Sequence, residues 1–413
     1  MYASQEECCS SDGIRPSPAT RDDLPGQNEQ ASIEPKGWIT KPFVRLLATN
    51  MALGFGFSCF YLLPKHLTVN HAASAGTVGA VMGIFGLTSV LVVPFLDRVV
   101  GALGLGRTLV FSQALLAACS LGFAYHGAPG AWMLCLRVLQ GLAAAAMMTA
   151  GTAMVCELAP AFRLGQAMGL AGGASLLMNA LAPAIAEPVA ARYGFSAVFL
   201  LSAAALVMGG LLARKLPARF AQGARSRTGS GFSLPGRSRP VLLALGAVSA
   251  GFYVTVSFLA PLALSHGVQA VRGFFIAYTI AALGIRLFGG ALTERLGLAR
   301  TATLGMLTYG VFIALLADVG PRSLAPLGVG FGLAHGALFP ALLALLFDGT
   351  EPATRAKVSG LANGVMNLGM LSVFVFGQAA NHVGLPAVFI ATGTLILLSS
   401  RWLRTKRRLR SCP

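Results

Sequence analysis

Twelve times along this 413-residue chain an apolar run recurs, each roughly 18–25 residues long and so able to cross a hydrocarbon core of about 30 Å as a helix. The runs lie near 42–64, 74–96, 107–125, 131–156, 164–188 and 194–213, then 240–263, 272–292, 301–317, 323–347, 356–380 and 385–403. Only 11% of the residues are charged and the mean hydropathy is +0.71, whereas a soluble domain carries about 25% charged residues to face water. The solvent this chain expects is lipid. In lipid every backbone polar group must be satisfied within the spanning structure, so runs of this length predict an all-α membrane protein of twelve transmembrane helices.

The net charge of +17 raises nucleic-acid binding, but the cations sit in short segments between apolar runs and not on an amphipathic face. That placement is a topology signal. With the first residues inside, the segments 97–107, 157–163, 214–239, 293–300, 348–357 and 401–413 carry twenty Lys or Arg, against Lys65, Arg192, Arg272 and Arg322 on the other side. Both termini are therefore expected in the cytoplasm. Residues 1–41 form a polar, acidic tail expected to be disordered. Residues 42–213 make one six-helix bundle, 214–239 a basic linker, 240–403 a second bundle and 404–413 a basic tail. The cysteines show no metal or disulfide spacing, and Cys59, Cys119, Cys135 and Cys156 fall in apolar runs where a free thiol acts as a small hydrophobe.

The two bundles repeat one another. GFGFSCFYLLP at 54–64 aligns with GFYVTVSFLAP at 251–261, and the same offset lays Asp97-Arg98 on Glu294-Arg295. Pro160, Arg163 and GLAGG at 169–173 correspond to Pro352, Arg355 and GLANG at 360–364. Parallel repeats of this kind are related by a pseudo-two-fold axis along the membrane normal and place a substrate cavity at their interface near the midplane.

Four motifs carry a family resemblance. The loop PFLDRVVGALGLGRTL at 94–109 and its counterpart GGALTERLGLARTATL at 289–304 pair an acid–base dipeptide with a downstream Gly and Arg. Asp97, Arg98, Gly106 and Arg107 make up the first copy, and Gly290, Glu294, Arg295, Gly297 and Arg300 the second. The fourth run carries RVLQG, Arg137 to Gly141, and the fifth GLAGGASLLMNALAPAIAEP at 169–188, with Gly169, Gly173 and Pro183. Together they resemble the major facilitator superfamily, and the fourth- and fifth-run motifs resemble its twelve-helix drug and siderophore exporters, which are proton antiporters. The first loop departs from the signature, with Pro94 near the usual glycine and extra residues before Gly106. The fifth run has Ala182, Ala186 and Glu187 where glycines are usual. The resemblance implies that Asp97-Arg98 and Glu294-Arg295 latch the halves on the cytoplasmic side. The bare residues leave open that both pairs only fix topology.

Charges within a span are expensive and read as functional. Arg137, in the outer half of its run, is expected to serve a cavity or gate. Arg286, nearer the cytoplasmic end, is expected to snorkel toward that interface. His335 stands near the midplane, where it either carries a proton or hydrogen-bonds a neighbouring helix. Glu187 either carries a coupling proton or pairs with Arg192. Asn50, Tyr61, Gln140, Asn179, Tyr253, Asn363 and Asn367 offer hydrogen bonds to a substrate or between helices. Gly141, Gly169 and Gly173 lie in small-residue runs that permit sliding helix contacts.

No acid lies at the centre of a run, which argues against a simple cationic cargo. The expectation is export of a small organic molecule, anionic or polar, such as a siderophore or metabolite, with drugs as an alternative, coupled to proton influx at a bacterial inner membrane. Import of an organic anion is the alternative. A membrane-embedded enzyme or sensor is a third, but no cluster of carboxylates, histidines or cysteines shares one depth. No cofactor and no nucleic-acid partner are expected, and the chain is expected to work as a monomer with its substrate, protons and the bilayer.

Overall fold

The computed structural model describes residues 38–160, 163–217, 238–348 and 355–404. The expected tails and most of the basic linker fall on residues 1–37, 218–237 and 405–413, outside the described residues. Among the described residues there are twelve long helices and no strand. In the first half they are α1 (Lys41–His71, interrupted by a 3-10 turn at Phe60–Leu62), α2 (Ala75–Leu103), α3 (Leu105–Tyr125), α4 (Ala131–Leu158), α5 (Leu164–Tyr193) and α6 (Phe195–Ala213). In the second they are α7 (Ser238–Ser265), α8 (Arg272–Phe288), α9 (Leu298–Leu315), α10 (Leu324–Phe347), α11 (Arg355–Val383) and α12 (Leu385–Arg404). Eleven are long and apolar enough to span alone. The remaining one, α8, stops at Phe288 and resumes beyond Gly289 as the short helix Gly290–Leu296.

Local chemistry sets the ends. Thr40 caps α1 by accepting the Phe43 N–H, with Pro42 in the first turn, and Ser74 caps α2 by accepting the Thr77 N–H. Two turns in each half consist of a single glycine. Gly104 (φ +79°) joins α2 to α3 and Gly297 (φ +77°) joins α8 to α9; Gly194 (φ +83°) joins α5 to α6 and Gly384 (φ +82°) joins α11 to α12. Where ψ lies near 150–170°, as at Gly104, Gly194 and Gly297, that backbone region is open essentially to glycine alone. Four turns at matching places make the repeat visible in three dimensions.

They also refine the motif alignment. The partner of Gly297 is Gly104, while Gly106 is buried inside α3. Helix α2 carries one more helical turn than α8 before its glycine, which accounts for the extra residues of the first loop. Several helices outrun their expected spans, α2 ending at Leu103 and α5 at Tyr193. Twenty-nine residues rise about 43 Å, so α2 continues past the hydrocarbon, where nothing interrupts its own hydrogen bonds.

Within each half the helices pack on their neighbours. Across the halves two pairs dominate, α2 with α11 and α5 with α8, and the pseudo-two-fold exchanges one pair for the other. Because an even number of helices cross, α1 begins and α12 ends on one face, called here the terminal face. The opposite one is the far face.

Candidate functional site

The halves are sealed at the far face. Helix α2 approaches α11 through a glycine stripe. A Cβ built on Gly79 would lie 2.8 Å from the Gly377 Cα, one on Gly83 2.8 Å from Phe374 Cβ, and one on Gly86 2.9 Å from Met370 Cβ. At the head of this contact the Gly76 N–H, in the first turn of α2, donates to Asn381 Oδ1 of α11 at 2.9 Å, and Gln378 Nε2 donates to the Gly76 carbonyl at 3.2 Å. The first N–H groups of any helix lack an internal partner, and here a side chain of the other half supplies it.

The second seal has the same logic with a charge added. Glu187, near the far end of α5, accepts the Val271 N–H at 3.1 Å on Oε1 and the Arg272 N–H at 2.9 Å on Oε2. Those amides open α8, whose positive end favours a carboxylate. Lys65 of α1 completes the cluster, 2.6 Å from Glu187 Oε1 and bonded to the Gln269 carbonyl. The Glu187 side chain is only 6% exposed. Its partner is Lys65, while Arg192 lies over the Tyr193 ring.

Below the seal lies a polar apex between the halves. Asn179 Oδ1 of α5 accepts from Ser58 Oγ at 2.9 Å and from the Tyr61 hydroxyl at 3.2 Å, and the Tyr278 hydroxyl of α8 lies close to the same side chain. Tyr278 also meets His335 Nδ1 of α10 at 3.3 Å. Aromatic rings surround His335: Phe252 stacks on it at 5.4 Å, with Tyr309 at 5.5 Å and Phe339 at 5.6 Å. Tyr61 stacks on Phe275 at 5.6 Å, crossing the halves once more.

From the apex toward the terminal face the halves part. Six residues beyond Asn179 on α5 and six beyond Tyr278 on antiparallel α8 stand Gly173 and Gly284, and each would leave an added Cβ in open space. Gly169, Gly172 and Gly364 are equally unobstructed, and Asn363 is exposed. Among the described residues the halves meet at the far face and stand apart toward the terminal face, leaving a cleft between them.

The expected site residues sort themselves along this axis. Glu187 bonds across the halves and Asn179 lies beside it on α5, whereas His335 is buried among rings of the second half; Asn367 is half-buried on α11. Pro183 is buried in α5 between apex and seal, whereas a Cβ added at Gly169 or Gly173 would meet nothing in this state. Gly141 does pack: its Cβ would lie 2.6 Å from the Phe85 carbonyl of α2. Arg137 and Gln140 bond one another at 3.0 Å and line a small pocket with Leu53, Phe57, Phe60 and Phe85 inside the first half, not between the halves. Asn50 lies against Gly151 at the α1–α4 contact. In the loops, Arg98, Arg107, Glu294, Arg295 and Arg300 are exposed and form no ion pair with a described residue. The side chain of Asp97 lies outside the described set. Sequence reasoning did not find Lys65, Tyr278, Asn381 or Gln378 as site residues. A tyrosine nearly two turns into a run was the only signal for Tyr278.

Residues 46–317 and 273–411 match the Major Facilitator Superfamily profile. The chain belongs to that superfamily. Among its relatives, a protein of Lactococcus lactis subsp. lactis (strain IL1403) named as a multi-drug resistance efflux pump PmrA homolog is 23% identical over 340 residues, covering 78% of this chain and 83% of that one. Solved structures share the fold. The nucleoside transporter NupG aligns with a TM-score of 0.71 at 13% identity, covering 88% of this chain and 99% of its own. A peptide transporter POT aligns at 0.74 and 14%, covering 89% and 95%. A bacterial homolog of the human lysosomal transporter Spinster aligns at 0.71 and 14%, covering 89% and 96%. This superfamily member is a multi-pass membrane protein with a transporter fold.

Proposed function

We propose that this chain exports a small organic molecule, anionic or polar, by alternating access coupled to inward proton flow. Its setting is a bacterial cytoplasmic membrane with both termini in the cytoplasm, so the open cleft faces the cell interior and loads there. The efflux relative and the fifth-run motif support the direction, and the excess of Lys and Arg in the terminal-face loops supports the orientation. No cofactor is needed, and one chain suffices because the cleft is built from its own two halves.

The observation that carries the reading is Glu187. It holds α8, Lys65 and α5 together across the halves, whereas the equivalent junction of α2 with α11 is held by the neutral Asn381. One of the two far-face clasps is therefore ionisable. A proton arriving from the far side neutralises Glu187, weakens its hold on Lys65 and on the α8 amides, and frees the far face to open. Re-forming the clasp requires Glu187 to shed that proton toward the cleft, where His335 is the next titratable side chain. On the terminal side the approach of Gly173 to Gly284 closes the alternate state, a rocking of one half on the other.

Membrane vesicles of both orientations test the direction. With radiolabelled 1-naphthoate as probe, the account expects accumulation in inside-out vesicles only when the lumen is acid. Uptake into right-side-out vesicles driven by external acid would replace export by import.

A further inference from the structure

Two arginines lie within helices well inside the bundle, and their surroundings differ. Arg137 is 1% exposed and every side of it is occupied. Its Nε donates to the Val81 carbonyl at 3.0 Å, one terminal nitrogen to Gln140 Oε1 at 3.0 Å and the other to Met82 Sδ at 3.6 Å, with the Phe85 ring 4.8 Å from the guanidinium. Arg286 is half-buried, and its Nε is enclosed with no acceptor. It makes no hydrogen bond or ion pair with a described residue. Its chain neighbour Ile285 packs on Gly336, the residue after His335, where an added Cβ would lie 2.5 Å from Ile285 Cγ2, so Arg286 stands at the level of His335 on the α8–α10 contact, within electrostatic reach of His335 and Tyr278.

An unsatisfied buried donor is costly, and so is a cation at membrane depth. Nothing among the described residues offsets either cost. The described carboxylates Glu157, Glu294, Asp318 and Asp348 sit at helix ends, and Glu187 is committed to the far seal. Around His335, next to that contact, the half-buried rings are Phe252 and Phe339, with Tyr253 against Phe252. Phe252 lies nearly parallel to the His335 ring, at 17°. A guanidinium with no acceptor among the described residues, its terminal nitrogens not enclosed and an aromatic cluster nearby, fits a ligand with a compact negative group on an apolar body.

We propose that Arg286 is the anion-contacting residue of the transport site. It takes the carboxylate of an amphipathic organic anion whose apolar body rests on Phe252, Tyr253 and Phe339 below the Asn179–Tyr278–His335 apex. The assignment rests on the cleft being the transport site and is independent of the direction of transport. It makes the substrate class a property of one residue, since the other embedded arginine is enclosed within the first half, with each of its three nitrogens already bonded.

The test uses the purified full-length protein in nanodiscs of zwitterionic lipid, with 1-naphthoate, the neutral 1-naphthamide and the cationic 1-naphthylmethylamine as probes, read by calorimetry and thermal denaturation. The expected result is binding of the carboxylate at least about tenfold tighter than of either analogue. R286Q should lose that preference by roughly tenfold or more, as the loss of a charge-assisted hydrogen bond implies, and R286K should fall between. Ligand-free R286Q should melt at or above the wild type, because it removes an unsatisfied donor. Equal binding of the amide or the amine, unchanged binding in R286Q, no binding of the carboxylate, or a less stable ligand-free R286Q would each overturn the assignment. So would stabilisation by added phosphatidylglycerol in place of naphthoate, which would mark an adventitious lipid phosphate contact. Failure of export leaves naphthoate affinity intact; failure of this assignment leaves flux direction intact.

Discussion

The carboxylate of Glu187, in the first half of the protein, accepts the backbone N–H of Arg272, which begins α8 in the second, at 2.9 Å. A helix start is thus capped by a side chain from the opposite half, and the cap is charged. Removing one partner of a buried pair costs about 3–5 kcal/mol, and the 14% exposure of Lys65 reduces that here to about 1–3 kcal/mol. E187Q should therefore shift the equilibrium toward the far-open state by around tenfold or more. Spin labels at His126 and Arg322, on far-face loops of opposite halves, report it as a growth of the long-distance population. An unchanged distance distribution would deny Glu187 its role in the seal.

The α2–α11 contact makes a complementary prediction. A methyl on Gly79 would meet the Gly377 Cα and the Val373 carbonyl at 2.8 Å, both backbone atoms that cannot step aside. G79A should destabilise the far-closed state by about 1–3 kcal/mol, and the same label pair should move in the same direction as in E187Q.

Gly173 and Gly284 predict the opposite behaviour. Neither has a neighbour in this state, so G173L or G284L should leave thermal stability within about 0.5 kcal/mol. Each should nevertheless abolish transport by preventing closure at the terminal face. A cysteine pair at the two positions should cross-link only while substrate is turning over. Full activity in either leucine variant would place the alternate contact elsewhere.

At the apex, Y278F deletes a hydroxyl that meets both Asn179 and His335. The expected loss is about 0.5–1.5 kcal/mol per hydrogen bond, measured by denaturation in detergent. The substrate affinity should fall with it, because Asn179 and His335 are no longer tied across the halves.

Much of this architecture was legible in the residue order. Apolar run length placed the helices, and the matched segments around Gly54 and Gly251 announced the repeat, because both depend on local composition alone. The four glycine turns follow from backbone conformation, yet the loop motif pointed to Gly106, because the extra helical turn of α2 that puts the turn at Gly104 leaves no local mark. The clasp was not legible. Glu187 has a cation five residues away in Arg192, and only the packing of α1 and α8 on α5 brings Lys65 and two amides closer. Likewise Arg286, nearer the cytoplasmic end of its run, reads as snorkelling; that it stands level with His335 depends on the tertiary packing of Ile285 on Gly336. Local chemistry predicted the elements, and the long-range pairings between halves decided the site.

The central claim is that inward proton movement through Glu187 drives the cargo out. Inside-out vesicles loaded at acid pH with a fluorescent pH indicator test it directly, by adding 1-naphthoate outside. In the wild type the anion should discharge the acid lumen at a rate that saturates with naphthoate concentration, and E187Q should show no discharge while still binding naphthoate. Saturable naphthoate uptake with no proton efflux, or wild-type proton efflux in E187Q, would contradict it.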